Sequence, residues 1–148
     1  MEMVRCGASR LGEQRQSINQ LNVFPIPDGD TGDNMFMTIN AGAGVAAGET
    51  LSQTAKDVSS AMLLGARGNS GVILSRIFAG IAKGLAGQKD ADVRAFAKAM
   101  SAGVEEAYHA VSEPVEGTIL TVLREGVDAA TGSNTLSEYF DLLTSAMD

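Results

Sequence analysis

The sequence predicts an all-α protein of antiparallel helices joined by short loops, and three observations carry that prediction. Apolar residues recur at spacings of three and four along most of the chain, the period of a helix with one buried face. No stretch alternates apolar and polar residues long enough to make a convincing strand. Aromatic residues make up only 5% of the chain and Trp is absent, while Ala, Gly, Leu and Val abound. Such a composition suits closely packed helices better than a β-sandwich. With 148 residues, 45% of them apolar, the chain is long enough for one domain with its own core, or for a piece of one.

Taken in order, residues 1–20 are polar, and Val4, Leu11, Ile18 and Leu21 form only a thin apolar stripe. An irregular or incomplete helix is expected there. Residues 21–24 read as an extended lead into Pro25-Ile26-Pro27-Asp28-Gly29-Asp30-Thr31-Gly32-Asp33-Asn34. Its prolines fix φ and lack an N–H, and its glycines let the backbone turn tightly. A helix is expected from about 32–34 onward, carrying Met35, Phe36, Ile39 and Val45, and Gly42, Gly44 and Gly48 weaken it toward its end.

A second helix covers residues 52–64, with Ala55, Val58, Ser59, Met62 and Leu63 on one face. It stops at Gly65-Ala66-Arg67-Gly68-Asn69-Ser70-Gly71. The helix that follows carries Val72, Ile73, Leu74, Ile77, Phe78, Ile81 and Leu85, enough to require burial over most of its circumference. Residues 90–111 have the clearest amphipathic pattern, from Val93 and Phe96 to Tyr108 and Val111, with Asp90 and Asp92 at the start, where the helix dipole favours anions. Pro114 breaks the chain within residues 112–118. A helix over 118–130 should turn Ile119, Val122, Leu123 and Val127 inward. A last one over 136–147 should share Leu136, Phe140, Leu143 and Met147.

Short loops make consecutive helices antiparallel. The loops at 25–34, 65–71 and 112–118 are each separated by two helices, so all three are expected at one end of the bundle. Each feeds a helix N-terminus, where unpaired N–H groups and partial positive charge bind phosphate readily. Asp28, Asp30, Asp33 and Asn34 fall within seven residues. Like charges held so close point to a divalent cation, most simply Mg²⁺ with its preference for oxygen ligands. The plainer reading is a solvated turn that caps the next helix. Ser70 offers a hydroxyl and an N–H to a phosphate, or is only an N-cap, and Thr118 after Gly117 is open to the same two readings. Arg67 and Arg124 are the nearby cations, and Arg67, inside its loop, is the better placed.

Several chemistries are excluded. Counted from Asp28, an EF-hand loop would put Gly32, Asp33 and Ile39 at its fifth, sixth and twelfth positions, the wrong residues for calcium. No Gly-x₄-Gly-Lys-Ser/Thr run exists, so a Walker P-loop is absent. The single histidine, His109, sits in a helix away from the three loops and reads as a surface or packing residue. Cys6 has no histidine nearby. Zinc-type His and Cys clusters are missing, and Asp28 and Asp30 are too close in sequence for a glycosidase pair. The net charge of −7 argues against nucleic acid or an anionic membrane as a partner. One cysteine allows no intrachain disulfide and fits a reducing cytoplasm. No apolar h-region opens the chain, and the most apolar run, 71–87, is broken by Arg76 and Lys83 and is too short to span a bilayer.

The segments Leu21-Asn22-Val23-Phe24-Pro25-Ile26-Pro27-Asp28-Gly29-Asp30-Thr31-Gly32, Gly65-Ala66-Arg67-Gly68-Asn69-Ser70-Gly71-Val72-Ile73-Leu74-Ser75 and Pro114-Val115-Glu116-Gly117-Thr118-Ile119-Leu120-Thr121-Val122 together resemble the kinase domain of the fatty acid kinases. These enzymes belong to a wider group that includes the DhaL nucleotide-binding subunit of dihydroxyacetone kinase. The resemblance covers roughly residues 17–130. It implies an antiparallel barrel of about eight helices with ATP or ADP across one end, and two Mg²⁺ ions held by the aspartates of the first loop. Asp28 and Asp30 match those metal-binding, catalytic aspartates, and Asn22 is a weaker candidate for a third ligand. Asn34, Asn69, Ser70 and Thr118, with the neighbouring Gly71, Gly117 and Arg67, match positions expected at the phosphates or the metal. Asp33 stands where close members more often carry Thr, and is either a further ligand or an N-cap.

The resemblance further implies transfer of the γ-phosphoryl group of ATP to a fatty acid carboxylate presented by a DegV-type carrier protein. The alternatives are a dihydroxyacetone-kinase-like subunit and a nucleotide-binding remnant without turnover. A homodimer is compatible with all three. Residues up to Arg15 match the first helix of that group poorly. The sequence stops at Asp148, before its last helix and Gly-rich closing segment, so a fragment or truncated form of one kinase domain is expected.

Overall fold

The computed structural model describes residues 1–23 and 27–147, and all of its regular elements are α-helices. The helices are α1 (Glu2–Leu21), α2 (Thr31–Ala43), α3 (Leu51–Gly65), α4 (Gly68–Gly84), α5 (Val93–His109), α6 (Ile119–Ala130) and α7 (Leu136–Met147). Phe24, Pro25 and Ile26, the last residue of the expected lead and the first two of the Pro-Asp-Gly stretch, lie outside the described residues, as does Asp148.

The expected helices are present, with ends shifted by a few residues. The first is a correction: residues 2–21 form a continuous helix, not an irregular one. Its thin stripe suffices because, among the described residues, α2 is the one helix whose backbone runs close beside α1. Ala8 is buried, and Val4 and Leu11 pack with Ile39, Val58 and Met62 from α2 and α3. A helix that covers one neighbour needs only a narrow apolar face; its other sides stay polar.

Helix α4 organises the core, as its apolar circumference requires. Leu74 and Phe78 join the α1–α3 cluster. Ile77 packs with Ala107 of α5 and Leu120 of α6. Ile81 reaches the third cluster, where Met100, Val127, Tyr139 and Leu143 are buried. Small residues bring α4 close to α5: a Cβ on Gly80 would meet the Gly103 Cα at 2.7 Å, and one on Gly84 would meet the Ala99 Cα at 2.6 Å. The abundance of Ala and Gly is spent on that interface. On its outer side Lys83 and Arg76 both reach Glu106. The hydrogen bond from Lys83 is the main reason the Glu106 carboxyl lies below its ordinary range.

Two faces are rotated from expectation. In α6, Val122 is 38% exposed, whereas Leu120 is buried. In α7, Leu136 and Met147 are largely exposed, and the fully buried residue is Tyr139. It stands edge-on to Phe96 and Phe140, with centroids 5.6 and 5.8 Å away, a favoured aromatic geometry. The apolar faces of α1 and α2 and those of α5 to α7 face each other across a groove of about 440 Å³, lined by side chains such as Met1, Ile39, Phe78, Met100 and Phe140. Among the described residues, no helix is long and apolar enough to cross a membrane.

Candidate functional site

The first two of the three singled-out loops meet. Helix α3 ends at Gly65 and α4 begins at Gly68, so only a two-residue turn separates them. That turn is fastened to α2: the Arg67 N–H donates to Thr38 Oγ1 at 3.2 Å, and the Thr38 hydroxyl donates to the Asn34 carbonyl at 2.7 Å. Thr38 is fully buried. Gly68 follows with φ of 58°, a conformation that strains any residue with a Cβ. Here the space is closed as well, because a Cβ would collide with the carboxamide nitrogen of Asn34 and come within 2.9 Å of its Cγ. Glycine is needed at residue 68 on both counts.

Asn34 is nine-tenths buried, at 9% exposure, against the first residue of α4. Among the described residues its carboxamide has no hydrogen-bond partner. The residue is buried as a whole, but its amide atoms are not sealed from solvent, so beside a helix N-terminus the carboxamide can bond to a ligand. The N-cap of α4, Arg67, makes no side-chain cap. The hydroxyl of Ser70 reaches only the Thr31 carbonyl, at a long 3.5 Å. The Arg67 guanidinium is exposed, and its recorded bond is to the Ala66 carbonyl. The first turn of α4 therefore offers backbone N–H groups, the Ser70 hydroxyl and a guanidinium with no carboxylate partner among the described residues. This is the electrostatic make-up of an anion site. Asn69 is exposed in that turn, and Gly71 is buried against Thr38.

The acidic residues divide into two groups. Asp28 and Asp30 are exposed, and neither carboxylate has an ion-pair or hydrogen-bond partner among the described residues. Asp33 is turned toward α1. Arg15 Nε lies 3.1 Å from its Oδ1, and Asn19 Nδ2 donates to its Oδ2 at 2.9 Å. The expected three-carboxylate cluster is thus not formed, because α1 draws Asp33 away. Correspondingly, no group of three His, Cys, Asp or Glu side chains converges on a metal position among the described residues. The two remaining carboxylates still fit Mg²⁺, which keeps several waters and takes one or two carboxylates plus substrate phosphates, not an all-protein cage. Asn22 Oδ1 accepts from the Asp30 N–H at 3.3 Å, which ties Asn22 to the backbone of this loop.

The third loop stands at the same end. Val111 and Ile119, which flank it, pack in one cluster with Ile73 from the second turn of α4. Among the described residues no hydrogen bond joins it to the other two loops. Its own bonds close it. The Thr118 side chain caps α6 by accepting from the Leu120 N–H, and its hydroxyl donates to the Val115 carbonyl at 2.8 Å. Thr121 Oγ1 accepts from the Gly117 N–H at 2.8 Å and donates to Glu116 Oε2 at 2.7 Å. Arg124 grips both oxygens of Glu116, at 3.0 and 3.1 Å, and lies over the Tyr108 ring. The Thr121 bond, followed by Arg124, holds the Glu116 carboxyl below its ordinary range. So Gly117 and Thr118 spend their polar groups within the turn, and Arg124, unlike Arg67, is paired. His109 is exposed and is the last residue of α5, so it borders the third loop, whereas it was expected away from all three.

Sequence reasoning missed four polar residues that shape this end: Arg15, Asn19, Thr38 and Glu116. Asn19 and Arg15 lie on a stretch that looked weakly structured, and their partner is 14 or more residues away. Only the spacing of Asn19 and Asn22, one helical turn apart, hinted at a polar face aimed at the loop.

The profile of the DAK2 domain matches residues 25–148. An uncharacterized protein of Staphylococcus epidermidis is 46% identical over 132 residues, which cover 87% of this chain and 24% of that protein. Protein YloV of Bacillus subtilis is 42% identical over 149 residues, covering 99% of this chain and 26% of YloV. An uncharacterized protein of Staphylococcus aureus is 42% identical over 132 residues, 87% of this chain and 24% of its own length. The chain spans about a quarter of the length of the curated relatives it matches. The YloV match includes α1, the helix whose sequence matched its expected group poorly.

Proposed function

This chain belongs to the DAK2-domain family, and from that premise we propose that it is the nucleotide-binding part of an ATP- and Mg²⁺-dependent phosphotransferase of the fatty acid kinase type. Its acceptor is a fatty acid carboxylate presented by a DegV-type carrier protein, and its product is an acyl phosphate. The observation that carries the nucleotide reading is the carboxamide of Asn34, without a partner among the described residues, set against the N-terminus of α4, whose N-cap residue makes no side-chain cap.

In this reading the N–H groups of Asn69 and Ser70, the Ser70 hydroxyl and the Asn34 amide donate to phosphate oxygens. Arg67 adds a positive charge to the same anion. Mg²⁺, held by Asp28 and Asp30, supplies neutralisation of the polyphosphate charge. The carboxylate oxygen forms a bond to the γ-phosphorus while the β–γ bridging oxygen leaves with ADP, so that transfer depends on alignment and charge. A carboxylate acceptor is already ionised at pH 7, its reference pKa being about 4.3, and needs no general base. A hydroxyl acceptor, as in a dihydroxyacetone-kinase-like enzyme, has to lose a proton. His109, the last residue of α5, borders the third loop and makes no bond to the acidic loop among the described residues. A carboxylate acceptor, which has no proton to lose, is the simpler one.

Calorimetric titration of ATP with and without Mg²⁺ tests the shared claim. Binding should require Mg²⁺, and Asp28→Ala/Asp30→Ala should remove that requirement together with the tight binding while helical content is kept, since both side chains are exposed. Equal ATP affinity with and without the cation would overturn the reading. Acyl phosphate formed from a lipid-loaded carrier, and none from dihydroxyacetone, would separate the two acceptors. Nucleotide binding with neither product would leave a binding module without turnover.

A further inference from the structure

An aspartate at a helix N-cap normally turns its carboxylate back onto the N–H groups of the second and third helical residues. Asp30 is the N-cap of α2, yet its side chain makes no such bond. The position is already taken. Asn19, on the last turns of α1, places its Oδ1 2.7 Å from the Gly32 N–H and 3.2 Å from the Asp33 N–H. Those are the N–H groups an N-cap side chain would serve. The other end of the same carboxamide donates to Asp33 Oδ2, and Arg15 holds Asp33 Oδ1. The fit is tight: a Cβ on Gly32 would collide with the Arg15 carbonyl and come within 2.9 Å of Asn19 Oδ1.

We propose that Asn19 is a positioning residue which caps α2 from outside and thereby releases the Asp30 carboxylate to face a divalent cation. The inference rests on the nucleotide–Mg²⁺ reading above. Without Asn19, the Gly32 and Asp33 N–H groups would be unserved, and Asp30, as the N-cap residue, has the carboxylate that an N-cap geometry turns onto them. It would fold back as an ordinary N-cap and leave the cation with Asp28 alone. Helix α2 would remain capped, so the cost falls on cation binding more than on the fold. Asp33, in this arrangement, is the anchor of Asn19 and not a ligand.

The test is the Mg²⁺ concentration that half-saturates ATP binding, measured with the thermal midpoint for the chain and its variants. Asn19→Ala should raise the Mg²⁺ requirement about 10- to 100-fold, the range seen when groups that orient metal ligands are removed, with little change in thermal midpoint. Asn19→Asp should do the same, because it sets a carboxylate against Asp33. Adding Asp33→Asn to Asn19→Asp should bring the requirement back to within a few fold of the parent, since the carboxylate then caps and the amide donates. A purely structural role predicts the reverse: a lowered midpoint in Asn19→Ala and an unchanged Mg²⁺ requirement, which would overturn the proposal. If Asn19→Ala fails to fold, the swapped pair decides. A folded swapped pair that has lost its Mg²⁺ response also overturns the proposal, and it would return Asp33 to the ligand set. A parent chain that shows no Mg²⁺ response at all fails the functional reading itself, a result visible before any variant is made.

Discussion

The N-termini of α4 and α6 look alike in sequence and differ in the structure. Each follows a glycine-containing loop and begins with small hydroxyl residues, Ser70 in one and Thr118 in the other. At α6 the hydroxyls close on the chain itself: Thr118 and Thr121 make a capping box, and Glu116 and Arg124 lock the turn behind it. At α4 the N-cap residue makes no side-chain cap, and the Asn34 carboxamide faces the first residue of the helix with no partner among the described residues. Phosphate-binding capacity is thus a property of an N-terminus whose N–H groups remain unspent, and the N-cap residue type alone does not report that. The N-terminus of α2 is a third state, spent by a side chain from another helix.

Gly68→Ala should break the comparison most severely. It forces a Cβ into Asn34 at a left-handed φ, so a stability loss of about 1–3 kcal/mol is expected from backbone strain, and Mg²⁺–ATP affinity should fall at least tenfold. Denaturant titration and calorimetry measure the two together. Thr118→Ala at the other N-terminus should cost about 1 kcal/mol, the worth of an N-cap, and leave Mg²⁺–ATP affinity within about threefold, below 0.7 kcal/mol of binding energy. Should it weaken ATP as much as Gly68→Ala does, the two N-termini would share the ligand and the contrast would be lost.

Acid sharpens the same contrast. The Glu116 carboxyl lies below its ordinary value because Thr121 and Arg124 bond to its ionised form. Its stabilising contribution is therefore complete above the unfolded value, about 4.3, and is lost as pH falls through the lower folded value. Amide exchange at Gly117 should rise in that acid window, and Glu116→Gln should move the rise to neutral pH. The α4 turn, held by Thr38, has no carboxylate in its fastening bonds and should respond much less.

The smallest effect is expected away from both ends. Tyr139 is fully buried, its hydroxyl has no partner among the described residues, and burial pushes its pKa up to about 12. The neutral form is the one that folds. Its contribution is complete below the unfolded value near 10 and is lost as pH rises through about 12. Tyr139→Phe should remove that alkaline step. It should also gain up to about 1 kcal/mol at neutral pH by deleting an unsatisfied buried group, with nucleotide affinity unchanged.

Much of the fold was legible because it follows from period. The apolar spacing of α4 and α5 announced two buried helices, and α4 does contribute to all three core clusters. The faces of α6 and α7 were less legible. Leu120 and Tyr139 compete in sequence with Val122 and Leu136, and which pair turns inward depends on the neighbour's shape. The acidic stretch was legible as a concentration of oxygen ligands, three carboxylates and a carboxamide in seven residues. Its division was not: the partners of Asp33 lie on α1, and only folding brings Arg15 and Asn19 to it.

From the sequence came the helices after α1, their order, and the concentration of aspartates and glycine-rich turns at alternate loops, because those depend on local period and on residues whose backbone preferences are their own. The tertiary structure alone decided which N–H groups and carboxylates are left over. Hydrogen bonds are made once. Whether Asp30 caps a helix or faces a cation, and whether Ser70 or Thr118 stands open, depends on which distant side chain arrives first at the shared partner.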